Sequence, residues 1–319
     1  MKQIALIGFG YQGIKAVAGV SAYHHMIKKV FVDNDLNLLE NYALAGQRIS
    51  VDFYYDREMW EPGYEVKLWL EEENRNFVLN SVMDFTMLIF VTGLGGTMSL
   101  IARELSIFLK REKVDIPVYF VCSLPFREET DYQHNFLARY VLQYLRQNEA
   151  GWTVVDNNEI YRCYYNNYST AYQNSSEYLT YLIACVFSLY GPGMWNSKID
   201  LPEIAAFLGK GLVHITVSDF EASTLPEYLS ILQNRCLPYL PVYDTEKILM
   251  SLELSKGVRT PEILKLVNHF IDENFSDKCG ISCRIFYGRN DLKECRIVLV
   301  TSGAETREQN ISIREICLM

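Results

Sequence analysis

Apolar positions in the first half of the chain follow two alternating rhythms. Short apolar or β-branched runs occupy residues 4–7, 30–33, 85–91, 118–122 and 153–155. Between several of them the apolar positions recur at helical spacing, as at 100–110 and 135–145, which predicts amphipathic helices. Strands covered on both faces are continuous apolar runs, so the alternation predicts a mostly parallel sheet between two layers of helix. Ligands bind such sheets beyond the carboxyl ends of the strands, and the turns that follow strands are where chemistry is expected.

The rhythm changes near residue 159. Residues 159–190 are dense in Tyr and Asn, lack Pro and Gly, and predict one long helix that ends at "GPGMW", 191–195. Beyond it the pattern predicts a helix at 201–208, a strand at 212–217 and a helix at 221–232. A strand at 248–253, a helix at 260–274 and strands at 281–287 and 296–301 follow. The expected fold class is therefore α/β: a Rossmann-like parallel-sheet domain at 1–164, a connecting helix at 165–190, and a smaller domain with a mixed sheet at 191–319.

Composition narrows the function classes. The chain has 319 residues, 49% hydrophobic and 22% charged, which are ordinary globular values. A net charge of -9 argues against direct nucleic-acid binding, which needs clustered Lys and Arg. The eight cysteines have no repeated spacing, and the one close pair, Cys279 and Cys283, lacks the second pair a zinc site needs. Buried thiols in a reducing compartment are the expectation, and the five histidines show no ligand spacing. No apolar run reaches the ~20 residues of a membrane span, and a strand that starts by residue 3 leaves no room for a signal peptide. A cytoplasmic protein is expected.

Two turns carry candidate chemistry. Gly8-x-Gly10-x-x-Gly13 joins the first strand to a helix, and the next apolar run ends in Asp33 and Asp35. That is the dinucleotide fingerprint, in which Asp33 could accept from a ribose hydroxyl. After the third strand comes "VTGLGGTMS", with Gly93, Gly95 and Gly96 beside Thr97 and Ser99. Its N–H groups and the following helix suit a second anion cradle, though no Gly-Lys-Ser/Thr ends it as in a Walker A loop. Tight packing of a strand against a helix is the alternative account of either turn.

The second turn, Leu94-Gly95-Gly96-Thr97-Met98-Ser99-Leu100, resembles the Gly-Gly-Gly-Thr-Gly-Ser/Thr-Gly signature of the tubulin/FtsZ family of GTPases. Further stretches match that family in order. "VCSLPFREE" is similar to its ribose-contacting strand end and places Glu129 at the ribose, and "GWTVVDNNEIY" places Asn157 at a guanine-recognition position. In the long helix Tyr172 falls where an aromatic stacks on the guanine and Ser176 where an Asn reads its edge. "KIDLPEIAAFL" resembles the catalytic loop, with Asp200 and Glu203 as its acidic pair.

The resemblance implies a GTP- or GDP-binding protein using Mg²⁺. Gly8, Gly10, Gly13, Gly93, Gly95, Gly96, Thr97 and Ser99 would then hold phosphates, with Asp33 and Asp35 on the neighbouring turn. It also implies a homo-oligomeric filament in which Asp200 and Glu203 act on the next subunit's nucleotide. This chain departs from the family at Leu94 and Met98, where Gly is usual, and at Gln133 and Lys198, where the family has Arg and Asn. The stretch "VDFYYDREMW" is bulky where a Gly-rich loop would sit, and a tail that recruits membrane adaptors is not expected. A non-hydrolysing nucleotide-binding or interaction module, and a NAD-dependent oxidoreductase, stay open as alternatives.

Overall fold

The computed structural model describes residues 3–21, 25–42, 45–51, 53–54, 69–70, 76, 80, 84–126, 132–148, 150–158, 160, 168–192, 198–221, 245–255, 260–274, 280–287 and 294–303. The chain divides into two compact units, Met1–Ala184 and Cys185–Met319.

The first unit opens with β1 (Gln3–Phe9), α1 (Gly10–Gly19), β2 (Ile27–Asp33), α2 (Leu36–Asn41) and β3 (Gln47–Ser50). A small antiparallel pair, β4 (Phe53–Tyr54) and β5 (Trp69–Leu70), follows. The chain continues through β6 (Phe85–Gly93), α3 (Thr97–Arg111), β7 (Val118–Leu124), α4 (Tyr132–Gln147) and β8 (Gly151–Asp156), and then enters α5 (Tyr168–Ser188). Six strands lie in the order β8-β7-β6-β1-β2-β3, every pair parallel.

That order creates a switch point. From β1 the chain moves outward to β2 and β3 on one side, then crosses to β6, β7 and β8 on the other. The reversal falls between β1 and β6, and such a reversal leaves a crevice at the carboxyl ends of the two strands.

The expected strands and helices of this unit are present, each strand running somewhat further than its apolar core. In β2 the extension is possible because two lysines pack their stems: Lys28 Nζ lies 5.7 Å from the Phe85 ring centroid, and Lys29 Nζ donates to the Ala18 carbonyl at 2.9 Å. Every residue of β7 is buried, as a strand covered on both faces must be. Phe9, Phe90 and Phe120 form a ladder across three neighbouring strands, with centroids 5.1 and 5.2 Å apart. Each of these rings contributes about 1.5–3 kcal/mol by burial.

The helix α1 rests directly on β6. A Cβ at Gly13 would lie 2.1 Å from the Val91 carbonyl oxygen, and one at Gly8 would lie 2.6 Å from the Gly13 carbonyl oxygen. The helix α5 reaches the same layer through Thr180, whose Oγ1 donates to the Ala16 carbonyl oxygen at 2.8 Å.

In the second unit β9 (Gly191–Pro192) and β10 (Lys198–Ile199) pair antiparallel, followed by α6 (Leu201–Leu208), β11 (Gly211–Glu221), β12 (Thr245–Leu254), α7 (Thr260–Asn274), β13 (Gly280–Tyr287) and β14 (Glu294–Gly303). The order is β13-β12-β14-β11; β12 and β13 are parallel, the other pairs antiparallel, so the strands are mixed as expected. Ile263, Val267 and Phe270 of α7 pack on Ile248, Met250 and Leu252 of β12. The helix expected at 221–232 is not seen at its first residue, because Glu221 ends β11 in register with Glu294; residues 222–232 lie outside the described residues. Of the long helix expected at 159–190, residues 159 and 161–167 likewise lie outside them.

Three outcomes follow for stability. Gly13→Ala should destabilise the first unit by about 2 kcal/mol or more, since overpacking here meets rigid backbone. Gly96→Ala, with nothing within 4 Å of its Cβ, should stay within about 1 kcal/mol of wild type in urea unfolding. In β11, burial lowers the His214 pKa from 6.5 to about 4. The ring is neutral when folded and takes up a proton below 6.5 when unfolded, so its contribution is complete above about 6.5 and is lost as pH falls toward 4. His214→Gln should flatten the stability–pH slope in that window, measured by urea unfolding at stepped pH.

Candidate functional site

The four helices α1, α2, α3 and α6 begin in two different ways. The first four N–H groups of any helix have no partner within it and are usually met by a side-chain cap. Asp35 caps α2, its carboxylate accepting from the N–H groups of Asn37 and Leu38 at 2.9 and 3.2 Å. Asp200 caps α6, accepting from the Glu203 N–H at 3.0 Å. The helices α1 and α3 start without any side-chain cap, at Phe9 and Gly96. These are the two helices that follow β1 and β6, on either side of the switch point.

Glycine geometry shapes both starts. Gly10 and Gly95 have positive φ, +70° and +97°, which suits residues without a Cβ. Gly96 is exposed. The Leu94 N–H donates to the Ser123 carbonyl at 2.8 Å and ties the second turn to β7. Thr97 opens α3 half-buried, while Ser99 is fully buried and donates its hydroxyl to the Gly96 carbonyl at 2.7 Å. Leu94 and Met98, which stand where the resemblance has Gly, are both buried. Met98 packs between the turns, its Cβ 3.1 Å from where a Cβ on Gly10 would be. Gly8 and Gly13 are closed in by backbone, and a Cβ on Gly93 would meet Gln12 Oε1 at 2.4 Å.

Asp33 follows Val32, which is in register with Phe9, so it ends β2 beside the first turn. Its carboxylate is buried and accepts from the Asp35 N–H at 2.9 Å. Burial raises its pKa above the usual carboxylate value, and that N–H bond works in the opposite direction. Both acids thus hold the turn into α2.

At the far side of the strands, Asn157 is buried just beyond β8 and accepts from Ser175 Oγ at 2.5 Å. Gln12 Nε2 donates to Ser175 Oγ at 2.5 Å, and Ser123 Oγ donates to Gln12 Oε1 at 2.8 Å. On α5, Tyr172 is exposed and meets the Phe126 ring edge-on at 4.7 Å. Ser176 is buried and donates back to the Tyr172 carbonyl at 3.1 Å. Glu129 lies outside the described residues.

The acidic pair of the second unit is engaged locally. Besides the Asp200 cap, the Glu203 carboxylate accepts from Ser282 Oγ and lies 3.6 Å from Lys247 Nζ. Among the described residues no group of three or more His, Cys, Asp or Glu could hold a metal ion. The described cysteines 122, 185, 283 and 295 form no disulfide, and burial pushes the Cys283 thiol up to about 12, far from reactivity. No described helix is long and apolar enough to cross a membrane.

No protein-family model and no curated protein sequence matches the chain. Solved structures do. A dimer of FtsZ from M. jannaschii is similar at TM-score 0.73 and 18% identity, over 96% of this chain and 90% of that one. A GTPγS-bound protofilament of CetZ2 from Haloferax volcanii is similar at 0.69 and 16%, over 100% and 98%. GDP-form protofilaments of TubZ from Bacillus thuringiensis serovar israelensis are similar at 0.71 and 14%, over 99% and 89%. The chain has the tubulin/FtsZ fold. At these identities the likeness is one of fold, and it bears out the expected parallel-sheet unit, long helix and mixed second sheet.

Within the tubulin/FtsZ fold, the residues brought together in the first unit are Gly10 with Met98, and Gln12 with Gly93, Ser123, Ser175 and Asn157. Gln12, Ser123 and Ser175 were not singled out from sequence. The available signal was a hydroxyl ending the apolar run "VYFVCSL" and an amide inside a glycine turn. Asp200→Ala should cost about 1 kcal/mol through the lost cap, whereas Asp200→Asn keeps an acceptor and should stay within about 0.5 kcal/mol, both read by thermal unfolding.

Proposed function

We propose that this chain binds a guanine nucleotide at the switch point between β1 and β6 and hydrolyses it as it assembles into filaments. The observation that carries the reading is the pair of helix starts, at Gly10 and Thr97, that lack side-chain caps where a tubulin/FtsZ fold has its strand reversal. Orphan N–H groups at two converging helix starts attract an anion by hydrogen bonding and by the helix dipole. The burial of Leu94 and Met98 leaves the exposed backbone of Gly96 open to a phosphate. Similar proteins carry nucleotide in filaments: the CetZ2 neighbour is a GTPγS-bound protofilament and the TubZ neighbour a GDP-form one.

On this reading 1–164 is the nucleotide domain, 165–190 the connecting helix and 191–319 the domain with the acidic loop. Gly10, Gly95, Gly96 and Thr97 offer N–H groups to phosphate, with Gly8, Gly13, Gly93 and Ser99 shaping the turns. Glu129 meets the ribose, Tyr172 stacks on the base, and Asn157 and Ser176 lie at its edge. Mg²⁺ would enter with the phosphates, held by their oxygens rather than by a dedicated protein cage. Phosphoryl transfer needs positioning and charge stabilisation more than covalent help, and Asp200 of the adjoining copy polarises the attacking water. A cytoplasmic setting and self-association belong to the same reading.

A second reading retains the nucleotide and omits hydrolysis. It is favoured by the engagement of Glu203 with Ser282 and Lys247, which keeps that carboxylate inside its own unit.

Titration of the purified protein with GTP, GDP and NADH in the presence of Mg²⁺ is expected to give saturable guanine-nucleotide binding and none for NADH. NADH binding without guanine-nucleotide binding would overturn both readings in favour of an oxidoreductase. Sedimentation with GTP and phosphate release then separate the two: in the first, Asp200→Asn lowers phosphate release by about a hundredfold or more at unchanged GTP affinity. Equal release by wild type and variant rejects the role of Asp200.

A further inference from the structure

Gln12 sits inside the first glycine turn, one residue before Gly13, yet both polar atoms of its side chain are engaged within the protein. Its Oε1 accepts from Ser123 Oγ at 2.8 Å at the end of β7, and its Nε2 donates to Ser175 Oγ at 2.5 Å on α5. Ser175 Oγ donates to Asn157 Oδ1 at 2.5 Å beyond β8. One relay of four side chains thus joins the first turn, β7, α5 and the residue after β8. Ser123, Ser175 and Asn157 are buried, so water does not replace a missing partner. Gly93 makes room for the relay, because any side chain there would begin where Gln12 Oε1 lies.

A primary amide offers an acceptor and a donor that differ only by a half-turn about the last bond. It can discriminate between bases only if something holds it in one sense. Guanine presents a carbonyl O6 where adenine presents an amino group. With Oδ1 taken by Ser175, the amino group of Asn157 is the half left for a base, a donor that suits O6 and opposes adenine's amino group. Ser175 keeps that orientation only while its own hydroxyl is held by Gln12, and Gln12 is held in turn by Ser123. Buried networks of this kind lose order as a unit when one member is removed.

We propose that Gln12 is a specificity-determining positioning residue that orients Asn157 through Ser175 and so sets guanine selection from within the first glycine turn. The proposal rests on the guanine-nucleotide reading above. It separates the two ends of the ligand: the side chain of Gln12 acts on the choice of base and not on the grip on phosphate.

The test compares binding of GTP, ATP and inorganic tripolyphosphate to wild type, Gln12→Ala, Ser175→Ala and the double variant, with thermal melts of each. Wild type prefers GTP over ATP. Gln12→Ala and Ser175→Ala each reduce the GTP-to-ATP preference by about tenfold, and the double variant by no more than the larger single effect, as for members of one network. Tripolyphosphate binds all four alike. Should Gln12→Ala fail to fold, Ser123→Ala, a smaller deletion at the other end of the relay, is expected to lower the preference in the same sense. An unchanged preference in the folded variants, or an equal loss of tripolyphosphate binding, overturns the proposal. A wild type that binds GTP without preference over ATP also overturns it while leaving the nucleotide reading intact; a wild type that binds no guanine nucleotide removes both.

Discussion

The close approach of α1 to β6 is the constraint on which the first unit depends. With Gly13 against the Val91 carbonyl there is no space for a side chain between helix and strand. That contact brings the start of α1 beside the start of α3, and it fixes where Gln12 projects. A helix set further out would leave the first turn unable to reach Ser123 or Ser175. The Gly8 and Gly13 of the fingerprint are therefore packing residues first, and any service to a ligand comes through the backbone they bring into place.

The contrast among helix starts carries the functional argument. Asp35 and Asp200 satisfy the N–H groups of α2 and α6, whereas α1 and α3 begin on Phe9 and Gly96, which have no such cap. Both uncapped starts flank the strand reversal, where an open parallel sheet leaves its crevice. The same contrast bears on the acids. Asp33 and Asp35, expected on the turn beside the nucleotide, hold the turn into α2 in the structure. In the second unit, Asp200 combines a cap with a candidate chemical role, and Glu203 is drawn to Ser282 and Lys247.

Much of this was legible along the chain. Periodicity located β1, β2, β6, β7 and β8, because strands buried on both faces must be apolar throughout. It located α6 and α7 for the opposite reason, since each has one apolar stripe and one wet face. The short strands β3, β9 and β10 were not legible, because pairs of only a few residues carry too little pattern. The helix expected from Glu221 does not hold at that residue, because pairing with β14 carries the strand through it. Of the candidate site, the glycine turns were visible as motifs, but the relay through Gln12, Ser123 and Ser175 was not.

The sequence by itself determined where the longer strands and most of the helices lie, and that two glycine turns follow parallel strands. Those are properties of neighbouring residues, set by side-chain periodicity and by the freedom of glycine. Tertiary structure alone decided that β1 and β6 lie side by side, and that Leu94 and Met98 turn inward. It also decided that Gln12 meets a serine 163 positions away. Each of these depends on strand order and helix packing, which bring together residues with no local relation in the chain.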